Sequence, residues 1–174
     1  EAARFDGVAL PEETRRKLLL LKTSMGLAAP ADPALQAELA GITTSMESTY
    51  GRGVYCPGDG EDCLDLPQME RMFAESRDTD ELLDLWTGWR TISPPLRSPY
   101  VRFTELANAG ARDLGFTDLG ELWRAGYDMP PDQFTVELER LWSQVRPLYE
   151  SLHCHVRAKL ADEYGSAVVP PDEP

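Results

Sequence analysis

Apolar residues recur every three or four positions along almost the whole of this sequence, and no convincing stretch alternates apolar with polar as a half-buried strand would. The expected fold class is all-α. After Asp32-Pro33, the residues Leu35, Leu39, Ile42, Met46 and Tyr50 keep helical spacing until Gly51 and Gly53 stop the run. Asp78, with Glu81 three residues on, has the form of a capping box, and Leu82, Leu85, Trp86 and Trp89 then share one face up to the break at Pro94-Pro95. Further helices are expected beyond those prolines, carrying Tyr100, Phe103 and Leu106, and near Thr117, carrying Leu119, Leu122 and Trp123. The longest pattern runs from Pro131-Asp132 to Tyr164 through Phe134, Leu138, Leu141, Val145, Leu148, Leu152, Val156 and Leu160. Pro147 inside it should bend that helix or divide it in two, because proline removes an amide donor and crowds the preceding turn. With no repeat, low-complexity tract or interdomain linker, residues 1–174 read as a single helical block.

Charge narrows the class. The chain holds 30 Asp and Glu against 17 Lys and Arg, a net charge of -13, with no basic run. Nucleic acid and anionic lipid would bind against that field, so neither is an expected partner. The apolar "KLLLLK" at 17–22 is closed by charge at both ends and is far short of the roughly 18 residues a membrane span needs. The opening "EAARFDGVALPEETRRKLLLL" has neither an initiator Met nor a basic segment with an apolar signal core, and reads as processed or truncated material.

The candidate chemistry is sparse. His153-Cys154-His155 places a cysteine between the only two histidines, but on a helix the two imidazoles stand roughly 160° apart and cannot share an ion. Opposite the apolar arc lie the small residues Ser151, Cys154, Ala158 and Ala161, a surface that suits close approach by another helix. Cys56 and Cys63 bound the short loop "CPGDGEDC", too widely spaced for a CxxC zinc or redox motif; the loop admits a disulfide or two free thiols. "RDTDELLD" and "GDGED" (58–62) lack the ligand spacing of a calcium loop and read as a solvated helix start and an acidic turn. Trp86, Trp89, Trp123 and Trp142, set at helical spacing, are expected in the core. There is no nucleophile elbow, phosphate-binding glycine loop, HExxH or N-glycosylation sequon. By spacing alone, the chain is an acidic helical domain without evident catalytic groups.

Longer segments carry a resemblance. "LLDLWTGWR" (82–90), "GFTDLGELWRAGYDMP" (115–130) and "LERLWSQVRPLYESLHCHVRAKLADEYG" (138–165) resemble, in order and spacing, the angiotensin-converting-enzyme family of zinc peptidyl-dipeptidases. "MESTYGRGVYC…C" (46–63) resembles that family's helix and small disulfide loop, which implies a Cys56–Cys63 bridge and an oxidising, secreted or periplasmic setting. "ARFDGVALPEETRRKLLLLK" resembles the segment after the family's lid helices. Sparse Lys and Asn, with Arg and Ala favoured, point to a GC-rich bacterial homologue.

The resemblance implies a multi-helix portion of a larger, mostly helical peptidase domain with a central cleft. The complete protein would release dipeptides from the carboxyl end of oligopeptides, with zinc polarising the scissile carbonyl and lowering the pKa of bound water. The HExxH ligands and the lid helices have no counterpart in residues 1–174, so the expected partners are the oligopeptide substrate and the remaining carboxyl portion, and the chain alone should be inactive. Family members bind chloride: Arg124 of "LWRAGY" is expected to ligate one chloride and Tyr164 of "DEYG" another. The bland alternatives are an ion pair for Arg124 and a helix cap for Tyr164. After Cys63, "LDLPQM" departs from the family's "LEPDL"-like run, and Cys154-His155 replaces a small-then-aromatic pair. A second function remains open, a non-catalytic helical module that keeps the scaffold for protein contacts.

Overall fold

The computed structural model describes residues 2–58 and 62–170. The acidic turn expected at 58–62 therefore falls largely outside the described residues. Seven α-helices lie among the described residues: α1 (Glu12–Thr23), α2 (Pro33–Gly51), α3 (Leu66–Glu75), α4 (Thr79–Trp89), α5 (Arg97–Asp113), α6 (Leu119–Ala125) and α7 (Pro131–Tyr164). Short 3-10 turns lie at Ala2–Phe5, Arg90–Ile92 and Pro94–Leu96. The one β feature among the described residues is an isolated antiparallel bridge between Tyr55 and Leu64. The all-α expectation holds.

The chain divides into two compact units, Glu1–Gly126 and Tyr127–Pro174. In the first, capping chemistry sets the helix starts. Asp32 accepts from the Ala34 amide at 2.8 Å, with Pro33 in the first turn of α2. Asp78 caps α4 through the amides of Asp80 and Glu81, but the reciprocal half of the expected box is not made, because Glu81 bonds the Ser76 hydroxyl instead. The complete capping box sits one helix earlier, at Asp65 and Gln68.

Two apolar clusters hold this unit. Ala28, Ala107, Ala111, Leu119 and Leu122 join the loop after α1 to α5 and α6. Small residues allow that contact to be close: a Cβ at Gly110 would stand 2.2 Å from the Ala28 carbonyl oxygen, so backbone meets backbone there. Met69, Leu85 and Trp89 form the second cluster, flanked by Tyr55, Leu64, Leu66, Met72 and Ile92. Between α2 and α5, Arg102 forks onto Glu38 at 2.7 and 2.9 Å. Lys22, buried in α1, is satisfied by both carboxylate oxygens of Asp6 at 2.6 and 2.7 Å.

The second unit is built on α7, which continues unbroken through Pro147 for 34 residues. Proline thus does not divide the helix; more than about four turns on each side hold it together despite the lost donor. The apolar stripe read from the sequence is present, yet Leu138, Val145, Leu148, Leu152 and Val156 are all exposed, Leu148 by 70%. Gly165 ends α7 at φ 83°, and its amide closes onto the Ala161 carbonyl at 2.9 Å. The guanidinium of Arg157 donates to the Pro170 carbonyl, tying the segment after the helix back to it.

Candidate functional site

The disulfide implied by the resemblance is present between Cys56 and Cys63, and Cys154 is free. The bridge closes the loop directly beside Tyr55 and Leu64, which exchange N–H···O bonds of 2.9 and 2.7 Å. Tyr55 then reaches α4, where its hydroxyl donates to Asp84 at 2.9 Å; that bond holds the phenol above its ordinary pKa, since ionisation would set two anions together.

Arg124 sits near the end of α6. Asp118 fixes the start of this short helix by accepting from the Glu121 amide at 2.7 Å, Asn108 accepts from the Leu119 amide at 3.0 Å, and buried Leu119 and Leu122 pin it from below. The guanidinium folds back over Gly120, where a Cβ would lie 3.2 Å from Nη1. Glu121 is the acidic neighbour that an ordinary ion pair would use, but its carboxylate takes the Thr117 amide instead, and the bonds to Thr117 hold it below the usual carboxylate range. Among the described residues, half-buried Arg124 makes no direct ion pair, although its charge also helps to lower the Glu121 carboxyl. Arg90 lies 3.7 Å over the exposed Trp86 ring.

Tyr164 is the last residue of α7, half-buried, and its side chain makes no capping bond; the helix end is closed by backbone alone. His153 stacks on Tyr149 at 5.9 Å between ring centroids, and His155 is exposed. Cys154 is exposed rather than buried, so the small-residue face opposite the apolar arc has no helix against it within α7's own unit. The tryptophans also differ from expectation. Only Trp89 is buried, donating from Nε1 to the Tyr50 hydroxyl at 3.2 Å, whereas Trp86, Trp123 and Trp142 are exposed by 55, 56 and 46%. Helical spacing put them on helices but did not say which helix faces meet a neighbour.

No group of three or more His, Cys, Asp or Glu side chains among the described residues is arranged to hold a metal ion. Zinc therefore does not fit the residues present, and no chemical step through it can be built here. No helix among them is long and apolar enough to cross a membrane.

Comparison with known proteins gives the arrangement its context. The M2 peptidase family model, described as angiotensin-converting enzyme, matches residues 1–174. The mouse angiotensin-converting enzyme-like protein Ace3 is 35% identical over 162 residues, 92% of this chain and 21% of its own length. Angiotensin-converting enzyme from pig is 34% identical over 94% of this chain and 12% of the relative, and that from Theromyzon tessulatum 32% over 85 and 24%. The chain thus spans no more than about a quarter of these curated relatives. With its full length matched, its fold all-helical and its small disulfide loop in place, the chain belongs to the angiotensin-converting enzyme family of M2 peptidases.

Proposed function

We propose that residues 1–174 form the non-catalytic portion of a zinc-dependent peptidyl-dipeptidase, supplying cleft wall and anion-site residues to an enzyme that releases carboxy-terminal dipeptides from oligopeptides. The observation that carries this reading is the match of the M2 peptidase family over the entire chain. In this reading the 174 residues act as one block of the catalytic domain, the zinc ligands lie in the remaining carboxyl portion, and that portion covers the apolar stripe of α7. Exposed Leu148 and Leu152 support a buried role of this kind, since a contiguous apolar face is costly to leave in water. Arg124, half-buried and without a direct ion pair, is suited to ligate a chloride, and Tyr164 offers a free hydroxyl to a second. A disulfide suits a secreted or periplasmic setting.

The exposed α7 face also suits a non-catalytic module that binds another protein, and one experiment separates the two. The 174-residue chain and the same chain joined to the family's carboxyl portion are assayed for release of carboxy-terminal dipeptides and for bound zinc. The peptidase reading expects chelator-sensitive release from the joined protein and none from the chain alone. A joined protein that folds but neither binds zinc nor cleaves peptide would favour the binding module.

A further inference from the structure

The Cys56–Cys63 loop is coupled to the second core cluster by a sequence of contacts with little slack. A Cβ on Gly88 would lie 2.2 Å from two carbons of the Tyr55 ring, so that ring fits only because residue 88 has no side chain. A Cβ on Gly53 would stand 2.9 Å from Ile92, so the backbone leaving α2 is likewise pressed onto the turn after α4. Trp89, next to Gly88, meets Tyr50 of α2 edge-on at 5.6 Å and donates to its hydroxyl. Thus α2, the loop and α4 meet in one joint whose inner ring is Tyr55. The Tyr55–Leu64 bridge that orients this ring is a single isolated pair, and so short a ladder does not persist in water by itself. The disulfide one residue further along on both strands is the covalent constraint that keeps the pair together.

We propose that the Cys56–Cys63 bridge is a redox-sensitive latch on this joint: closed, it holds Tyr55 in the Gly88 notch; opened by a dithiol, it releases Tyr55 and loosens α4. The step balances as thiol–disulfide exchange. A thiolate of the dithiol attacks one bridge sulfur, the S–S bond breaks, the second thiolate closes the dithiol into its cyclic disulfide, and Cys56 and Cys63 each leave as a thiol. Cys63 is exposed and Cys56 half-buried, so a small reductant has access. The latch stands on contacts within one compact unit and does not depend on the peptidase reading.

The test is hydrogen–deuterium exchange on the 174-residue chain, with and without dithiothreitol, and on the Cys56→Ser/Cys63→Ser double variant. Opening the bridge should speed exchange by at least about tenfold at residues 53–64 and along α4, with α5 unchanged. Unchanged α4 exchange would reduce the bridge to a local staple, and an equal rise in α5 would mean global unfolding; either result overturns the latch. Gly88→Ala, with its bridge intact, should loosen α4 as reduction does. If α4 stays protected in that variant, the Tyr55–Gly88 contact transmits nothing and the proposal fails.

Discussion

Tyr55 lies against Gly88 so closely that a single methyl group on α4 would stand 2.2 Å from its ring. The position admits no side chain because two elements remote in sequence, the disulfide loop and α4, meet there face to ring. Gly88→Ala should destabilise the chain by about 1–3 kcal/mol through overpacking. Urea unfolding would read this, and Tyr55→Ala in the same background should recover part of the loss. Strict additivity of the two changes would show that the residues do not press on each other.

Glu38 and Arg102 tie α2 to α5 across 64 positions of sequence, and the guanidinium's bonds hold the Glu38 carboxyl below the usual carboxylate range. The sign of the pH effect follows. A carboxylate whose pKa is depressed by folding binds fewer protons in the native state, so its stabilisation is present above the ordinary value of 4.5 and is lost as pH falls through the folded value. Both side chains are well exposed, and solvent screening keeps the contribution small. Glu38→Gln should therefore lose a small amount of stability at neutral pH and converge with the parent below about pH 4.5, so that its acid limb is flatter. An acid limb identical to that of the parent would remove Glu38 from the account of acid stability.

For Arg124 the expectation concerns anions. In the peptidase proposed above, Arg124→Gln should lower the response of peptide hydrolysis to chloride by roughly tenfold, the scale of one charge-assisted hydrogen bond, and should shift folding stability much less. Arg90→Gln is the matched comparison, since among the described residues Arg90 also makes no direct ion pair. Chloride titration of both variants decides between them: a response lost only in Arg90→Gln moves the anion to the Trp86 face, and a response kept in both removes it from α4 and α6.

Much of this architecture was legible in the order of residues. Asp32-Pro33 and Gly51 bound α2 as read, because capping and glycine termination are local chemistry. The pattern from Pro131 to Tyr164 gives α7 end to end, and of the two effects expected of Pro147, a bend or a division, division does not occur. Burial was less legible. Trp86 and Trp89 lie three residues apart at helical spacing, yet one is exposed and the other buried, a difference set by Tyr50 and the loop, which no local window contains. The close approaches at Gly88 and Gly110 were unreadable for the same reason: a glycine in a helix carries no sign of what will pack on it. Arg124 is singled out by family likeness alone, and no local window shows that the Glu121 carboxylate beside it bonds Thr117 rather than pairing with it directly.

His153 and His155 should bind no zinc tightly in the 174-residue chain. The two are separated along an unbroken α7, so their imidazoles leave the helix roughly 160° apart, and the exposed Cys154 between them points in a third direction. A catalytic zinc site normally gathers three protein ligands around one open position, a geometry that neighbours on a single helix cannot supply at one-residue intervals. Stacking on Tyr149 further commits the His153 ring to its own helix face. Metal analysis after dialysis against zinc should find well under one equivalent, and His153→Ala and His155→Ala should leave the figure unchanged. Stoichiometric zinc that either substitution abolishes would require α7 to unwind at Leu152–Val156, and would overturn the helical reading of this stretch.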